Sequence, residues 1–263
     1  MKEWLLINFN SMKINFYRFW GVLIMVLIWY GLKLAFLNES VFFPHFHEVL
    51  KRLYVLILEG ILITDIYHTS INFAGGFFIS LLIGYPLGLF MGYSPRVYYL
   101  FEIPVEFIRS TPATILYPIF LAFLGLNYKT TLAMIFSASV MLITLNTAYS
   151  VFYINPIRKK AFELLKPNLM QTIYWLVIPE SLPALFLSAR LAISLSLIVG
   201  IVSELFIGSA YGLGARVMIS YETLQVTDTF AVILVVGTFG YLLNQIFRFA
   251  ERKVVHWVQF QKI

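Results

Sequence analysis

Long apolar stretches alternate with short polar segments along most of the chain. A helix needs about 20 mainly apolar residues to cross the hydrocarbon core of a bilayer. Six stretches approach or exceed this length, at residues 19–37, 69–91, 115–126, 131–154, 182–207 and 230–247. The third is short and reaches the required length only with residues around Pro112. The pattern therefore predicts an all-α, polytopic membrane protein with six transmembrane helices.

Composition supports this fold class and excludes several kinds of site. Hydrophobic residues make up 60% of the 263 residues and charged residues 12%, and the mean hydropathy is +0.83, more than a soluble core requires. The chain has no cysteine, which excludes disulfides and thiolate metal sites. His45, His47 and Glu48 form a metal-like group. Histidines two positions apart in a polar loop are more often solvated, so we predict no metal.

The distribution of positive charge predicts the topology. The formal net charge is +6, and in membrane proteins excess Lys and Arg lie in cytoplasmic loops against anionic lipid. We therefore expect contact with membrane lipid and no nucleic-acid partner. The two terminal segments, the second-to-third loop and the fourth-to-fifth loop together hold 13 Lys and Arg, whereas the other loops hold 4. This bias places both termini in the cytoplasm.

These elements predict an order of segments along the chain. Between the first two spans, apolar residues from Val49 to Ile61 share one face, which is typical of an amphipathic helix outside the bilayer core. We expect a cytoplasmic N-terminus at 1–18, a first transmembrane helix at 19–37, an extracytoplasmic amphipathic segment at 38–66, a five-helix core at 67–247 and a cytoplasmic C-terminal tail at 248–263.

The second predicted span carries small residues at every fourth position. These are Gly76, Ser80, Gly84, Gly88 and, just beyond the span, Gly92. Residues four apart lie on one helix face, and rows of small residues let membrane helices approach closely. The row predicts a helix-packing face, although glycine is also frequent in membrane helices without such a role.

Residues 155–178 form a positively charged segment with an interrupted apolar face. Apolar residues from Ile157 to Leu176 recur at helical spacings. Pro167 interrupts this face, because a proline inside a helix removes a hydrogen bond and clashes with the preceding turn. We predict two short helices that meet near Lys166.

At this segment the chain resembles the membrane-spanning permease subunits of ABC importers. Their cytoplasmic coupling loop carries the pattern E-A-A-x3-G-x9-I-x-L-P, and alignment on Pro179 makes Ala161 the other outright match. Lys160 stands at the position of the pattern's Glu and Lys166 at that of its Gly. The later segments S-A-R-L-A, V-S-E and G-L-G, together with residues 75–125 and 228–257, resemble the nitrate, sulfonate and taurine group of these permeases.

The resemblance implies a type I ABC importer permease fold in a prokaryotic cell inner membrane, and 155–178 as the coupling loop. It implies a second permease subunit in a homodimer or heterodimer, two cytoplasmic ATPase subunits that bind ATP and Mg, and an extracytoplasmic solute-binding protein. The solute would be a small anion, a sulfonate or a vitamin precursor. No Gly-Lys dipeptide occurs, so a Walker A motif is absent. We expect no cofactor and no enzymatic activity in this chain.

The coupling loop carries specific expectations. The residues expected to couple to the ATPase are Lys160, Ala161, Glu163, Leu164, Leu165, Lys166, Pro167, Asn168, Leu169, Gln171 and Ile173. Asn168 and Gln171 have the spacing of a capping box for the second helix, which we expect to reach Pro179. We also expect Pro167 to form the bend without the positive φ that a glycine at Lys166 would allow.

Two ionisable residues lie within the fifth span, where a charge is costly unless it faces protein or water. Arg190 and Glu204 share a face to within about 40° but lie about 21 Å apart along the helix, so each needs another partner. We predict a solute path or gate from Arg190, Ser203 and Glu204, with Asn146 across from Glu204. Alternatively, Arg190 reaches the inner headgroups and Glu204 the outer interface. The hydroxyls and amide of the fourth span either bond helices together or line a polar path.

Two other kinds of protein fit an apolar chain of this length. An ion-driven secondary transporter is the main alternative, but the sequence shows no internal repeat of the kind common in that class. A membrane-embedded enzyme ranks last, because no span holds paired carboxylates, a His-Glu metal pattern or a nucleophile with its base.

Overall fold

The computed structural model describes residues 20–35 and 40–254, and these contain helices and loops but no strand. A 3-10 turn and a π turn lie among the helices. The helices are α1 (Trp20–Ala35), α2 (Phe46–Leu58), α3 (Ile61–Tyr93), α4 (Pro95–Ser110), the 3-10 turn (Ala113–Leu116), α5 (Tyr117–Leu124), α6 (Tyr128–Phe152), α7 (Pro156–Glu163), α8 (Leu169–Thr172), the π turn (Ile173–Val177), α9 (Ile178–Ile207), α10 (Leu213–Glu222) and α11 (Val226–Val254).

Four helices are long and apolar enough to cross a membrane. These are α3, α6, the continuous helix Leu169–Ile207 and α11. A fifth span results if α4 and the turn with α5 are taken together, since they pass the same test as a pair bent by 84°. The described part of α1 is a shorter apolar helix, and the other residues of the predicted first span lie outside the described residues. The all-helical, multispanning architecture is thus confirmed. The described residues contain four or five helices that meet the test for a span, and the count of six stays a prediction.

Two predicted boundaries differ from the structure. The amphipathic segment was expected to continue to residue 66, but α2 ends at Leu58 and α3 begins at Ile61, after Gly60 in a left-handed conformation with φ of 75°. Glycine accepts this conformation without steric cost, which permits the sharp junction. The third predicted span at 115–126 is only the second arm of the bent pair, because the helix breaks between Ser110 and Ala113 around Pro112.

The row of small residues on α3 is a packing face, as predicted. It lies against α6, and every member of the row is buried. A Cβ added to Gly88 would stand 2.5 Å from the Thr147 Cβ, and one added to Gly92 would stand 2.5 Å from the Ala148 carbonyl oxygen. The Ser80 hydroxyl donates to the Phe136 carbonyl at 3.3 Å. The two helices can approach this closely only because the row has almost no side chains.

The α3 and α6 helices run in the same direction. Gly76 lies against Ile135 near one end of the contact, and Gly92 lies against Ala148 near the other. The chain between the two helices must therefore return along the full length of the pair. This return is made by α4, the 3-10 turn and α5.

Helix α9 runs antiparallel to α6 and is joined to it by buried polar groups. The Ser139 and Ser196 hydroxyls lie 2.6 Å apart, and the Ser203 hydroxyl donates to the Thr131 hydroxyl at 3.2 Å. The sequence left open whether the hydroxyls of the fourth span bond helices together or line a polar path. The hydroxyls of α6 that form these contacts bond helices together, which satisfies polar groups that lipid would leave unpaired.

The close contact of α3 with α6 can be tested with paired glycine substitutions. We expect Gly88→Ala to lower the free energy of unfolding by about 1 to 3 kcal/mol, since the new methyl group overlaps Thr147 and the backbone of α6. Gly237→Ala on α11 is the matched control, because a Cβ there meets nothing within 4 Å. Thermal unfolding of the purified protein in detergent measures both. Equal effects at the two positions would contradict the packing assignment.

Candidate functional site

The predicted coupling segment folds as two short helices with a bend between them. Helix α7 starts after Asn155, whose side chain accepts from the Ile157 backbone N–H at 2.9 Å. The bend lies at Lys166, as predicted, but its mechanism differs from the expectation. Lys166 has a φ of 50°, so it takes the left-handed conformation that the pattern's glycine would favour. Pro167 disfavours the right-handed helical conformation in the residue before it, so the first helix does not continue through Lys166.

The second helix begins at the predicted cap. The Asn168 side chain accepts from the Gln171 backbone N–H at 2.8 Å, and the Gln171 side chain accepts from the Asn168 N–H at 2.9 Å, which confirms the capping box. The expected end at Pro179 is wrong, because the helix continues to Ile207. A π turn directly precedes Pro179, where the missing N–H and the proline ring would disturb a regular α-helix.

The two short helices and their bend leave a set of large apolar side chains uncovered. Leu164 is 82% exposed, Leu165 75% and Met170 76%. Leu169 is also exposed, whereas Ile173 is half-buried. We call Leu164, Leu165, Leu169 and Met170 the coupling surface. Exposed apolar side chains that cluster beside charged residues are a candidate interaction site.

At the opposite end of α9, Glu204 is almost completely buried. One carboxylate oxygen accepts from the Thr69 hydroxyl at 2.8 Å and from the Gly214 backbone N–H at 3.1 Å. The other accepts from the Asn72 side-chain amide at 3.2 Å. The partners come from α3 and α10, so Glu204 joins three helices through hydrogen bonds, as a helix-pairing residue does.

Carboxylates and a hydroxyl bind three consecutive backbone N–H groups at the start of α10. The Gly212 N–H donates to Asp65 at 3.0 Å, the Leu213 N–H donates to the Thr69 hydroxyl at 2.8 Å, and the Gly214 N–H donates to Glu204. The first N–H groups of a helix have no partner within the helix, and negative charge is favourable there. We call Asp65, Thr69, Asn72 and Glu204, with the 212–214 backbone, the outer polar cluster.

One ion pair involves the outer polar cluster, and a second joins α2 to α11. Fully buried Asp65 also accepts from the Arg216 guanidinium at 2.7 Å. Arg52 on α2 makes a bidentate pair with Asp228 at the start of α11, at 2.6 and 3.0 Å. The hydrogen-bonded Asp228 carboxylate raises the pKa of Arg52 above its ordinary value. Sequence reasoning missed Asp65, although its spacing of four from Thr69 placed both on one helix face.

The predicted path residues do not lie together. Ser203 lies beside Glu204 and contacts Thr131 on α6. Asn146 is 15 residues farther along α6 than Thr131, about 22 Å at the α-helical rise, so the expectation that it lies across from Glu204 is wrong. Arg190 pairs with buried Glu251 of α11. Arg190 and Glu204 thus each have a partner on another helix, as their separation required.

A cavity of about 310 Å³ opens beside Glu204. Its lining includes Asn72 and Thr131 from the helices, and His68, Tyr128 and Tyr211 near the helix ends. The His68 and Tyr211 rings stack with centroids 4.9 Å apart. The cavity brings hydroxyl, amide, imidazole and carboxylate groups together at one end of the bundle.

Comparison with known proteins identifies the family. The model of the binding-protein-dependent transport system inner membrane component matches residues 84–256, about two thirds of the chain. The chain belongs to this family. It is an ABC importer permease of the nitrate, sulfonate and taurine type, and a multi-pass inner membrane protein. Permeases of this family work in importer complexes with ATPase and binding-protein components.

Individual relatives cover most of the permease. It is 26% identical over 242 residues to a protein of Methanocaldococcus jannaschii named as an ABC transporter permease, with 90% of each chain covered. It is 21% identical to the taurine transport system permease of Escherichia coli, covering 89% of this chain and 86% of that one. An inward-facing structure of the MetNI methionine ABC transporter shares the fold, with a TM-score of 0.58, 19% identity, and coverage of 76% of this chain and 96% of that one.

The capping box offers a local test of the bend. Asn168→Ala removes the acceptor for the Gln171 N–H and should destabilise the start of the second helix by about 1 kcal/mol. Hydrogen exchange at residues 169–172 measures this, and we expect faster exchange there with no change in α6. Asn168→Asp is the control, because it keeps the accepting oxygen. Unchanged exchange in Asn168→Ala would show that the cap does not hold this turn.

Proposed function

We propose that this permease forms, with a second permease subunit, the path by which a small anion such as a sulfonate enters the cell. The taurine permease relative supports this solute class, since taurine is a small sulfonate. The observation that carries the proposal is the coupling surface. Four large apolar side chains lie exposed on a basic segment that connects two membrane-spanning helices, in a family of importer permeases.

The proposed topology has six spans and cytoplasmic termini. Helix α1 is the first span and the bent pair of α4 and α5 is the third. The parallel arrangement of α3 and α6 supports the latter, because the chain between them must travel back to the other side. The excess of Lys and Arg in alternate segments supports the orientation. The coupling surface then faces the cytoplasm, and the outer polar cluster faces the other side.

The proposed complex contains a homodimer or heterodimer of permeases, two ATPase subunits and an extracytoplasmic solute-binding protein. The ATPase subunits would bind ATP and Mg and supply the hydrolysis, so this chain would act without a cofactor of its own. Three residues of the coupling loop, Lys160, Ala161 and Glu163, lie on α7 beside the coupling surface, where the ATPase would bind.

Glu204 has a positioning role in this proposal. A carboxylate that lined the path would repel an anionic solute, whereas one that accepts three hydrogen bonds from α3 and α10 holds the outer ends of the helices together. The cavity beside it supports the assignment of this contact to the outer entrance. We therefore assign Glu204 to a gate or helix-pairing function, not to direct solute binding.

The coupling surface can be tested by a charge substitution. Leu165→Glu should abolish productive binding of the ATPase, because a carboxylate would be buried in an apolar contact. We expect ATP hydrolysis to become uncoupled from uptake in proteoliposomes, while the protein still inserts in the membrane. Leu58→Glu is the control, since Leu58 is similarly exposed at the end of α2 and does not line the cavity beside Glu204. The role is wrong if crosslinkers at Leu165 and Leu169 never capture an ATPase subunit in the assembled complex.

The role of Glu204 can be separated from its charge. All three groups that contact it are donors, so Glu204→Gln can be accommodated only if the Asn72 amide turns to present its oxygen. We expect near-normal uptake in Glu204→Gln and loss of uptake in Glu204→Leu. Asn72→Asp alone should lower uptake, because it places a second carboxylate against Glu204. The same substitution should be tolerated in combination with Glu204→Gln. Unaffected transport in both single Glu204 variants would remove Glu204 from the mechanism.

A further inference from the structure

A second cavity, of about 550 Å³, lies between the coupling segment and the ends of the spanning helices. Its walls come from the C-terminal ends of α3 and α6, from α7 and the bend, and from the π turn. None of the four coupling-surface residues lines it. The coupling segment thus has two faces, one exposed at its outer surface and one turned toward this cavity. The volume is in the range of small-molecule sites.

The lining of this cavity combines positive charge with apolar surface. Lys159 and Lys166 are the basic residues of the lining, and Glu163 is its acidic residue. Residues 155–180 hold four Lys and Arg but two carboxylates, and the ion pair formed among them joins Arg158 to Glu180. No carboxylate among the described residues lies within ion-pairing distance of either lining lysine. With two lysines and one carboxylate in its lining, the cavity carries a net positive charge.

Lys166, which lines the cavity, has an unfavourable backbone conformation. A left-handed φ of 50° costs a lysine free energy that a glycine would not lose. Such a conformation persists at a site only where the surrounding structure enforces it, and it often marks a functional constraint. Here the residue in this conformation lines the cavity together with Tyr93 and Phe152 at the ends of α3 and α6.

We propose that this cavity binds a phosphate-bearing anion, with Lys159 and Lys166 as the ligands of the phosphate. Two sources have this chemistry, an anionic phospholipid headgroup and a soluble phosphate. The position of the cavity at the ends of the spans suits a lipid, whose glycerol and upper acyl atoms would contact Phe152, Phe162 and Leu176. Basic pockets between membrane helices bind anionic headgroups in the same manner. A phosphate held here would join α7 to the bend and fix the coupling segment against the bundle.

The experiment uses the full-length permease in nanodiscs and measures lipid retained on release by native mass spectrometry. In discs of phosphatidylcholine with a minor fraction of phosphatidylglycerol, the wild type should retain phosphatidylglycerol. The double variant Lys159→Gln, Lys166→Gln should lose about 30-fold in occupancy, since each lysine near an anionic surface contributes about a five-fold factor. Lys160→Gln with Arg96→Gln is the control, because it removes two positive charges at the same end of the bundle but outside the cavity lining. Lys159→Arg with Lys166→Arg should keep the lipid.

A second arm distinguishes the two sources. In discs of phosphatidylcholine alone, calorimetry with inorganic phosphate tests the soluble anion. Phosphate binding that the double variant loses assigns the cavity to a soluble phosphate, and retained phosphatidylglycerol without phosphate binding assigns it to lipid. Equal loss of lipid in the control and the double variant would reduce the effect to general surface charge and overturn the proposal, as would unchanged binding in the double variant. Each variant is first compared with the wild type by thermal unfolding. The result does not depend on ATPase binding, so it can fail while the proposed function stands.

Discussion

The close parallel contact between α3 and α6 is the constraint on which the rest of the bundle depends. It needs five small residues at every fourth position, because backbone atoms of α6 occupy the space where side chains of α3 would lie. Within lipid there is no hydrophobic driving force between helices, so such close packing supplies much of the association energy. Because the two helices run in the same direction, the intervening chain must turn back, and helix α9 packs along both. The core of α9, including Ala189, Ala192 and Ile193, packs against this pair.

A second constraint acts at the outer ends of the helices, where charge would be costly in contact with lipid. Asp65 and Glu204 are both nearly inaccessible, and unpaired carboxylates at such depth would strongly destabilise the fold. The structure satisfies them with two of the three free N–H groups at the start of α10, those of Gly212 and Gly214, and with Arg216. Gly212 and Gly214 permit this approach, since a Cβ on either would overlap Glu204. Burying two carboxylates costs free energy, and so does leaving the first N–H groups of a helix unpaired. Each group supplies the hydrogen-bond partner that the other lacks, so both costs are reduced.

The sequence predicted features that depend on local chemistry and regular spacing. The row from Gly76 to Gly92 indicated its packing face, and Asn168 with Gln171 indicated the cap, because each signal lies within one helix or turn. Features set by tertiary contact were not predictable in this way. Asp65 and Arg216 are 151 residues apart, and the local sequence around one residue does not indicate its contact with the other. Asn146 was placed wrongly because its position on α6 depends on the register with α9. The helix through Pro179 was missed because a π turn leaves no clear sequence signature.

The unbroken course of that helix connects the two functional regions of the permease. Leu169 on the coupling surface and Glu204 in the outer polar cluster belong to one continuous helix, about 52 Å apart at the α-helical rise. A hydrogen-bonded helix is stiff along its axis, so a displacement imposed at Leu169 is carried to Glu204 without passing through a flexible loop. The π turn at 173–177 and Pro183 are the irregularities along this length. The π turn adjoins the coupling surface, and the helix between Pro183 and Glu204 is regular. In the proposed mechanism, this regular part moves as one unit against Thr69, Asn72 and the start of α10, which hold the contacts of the Glu204 carboxylate.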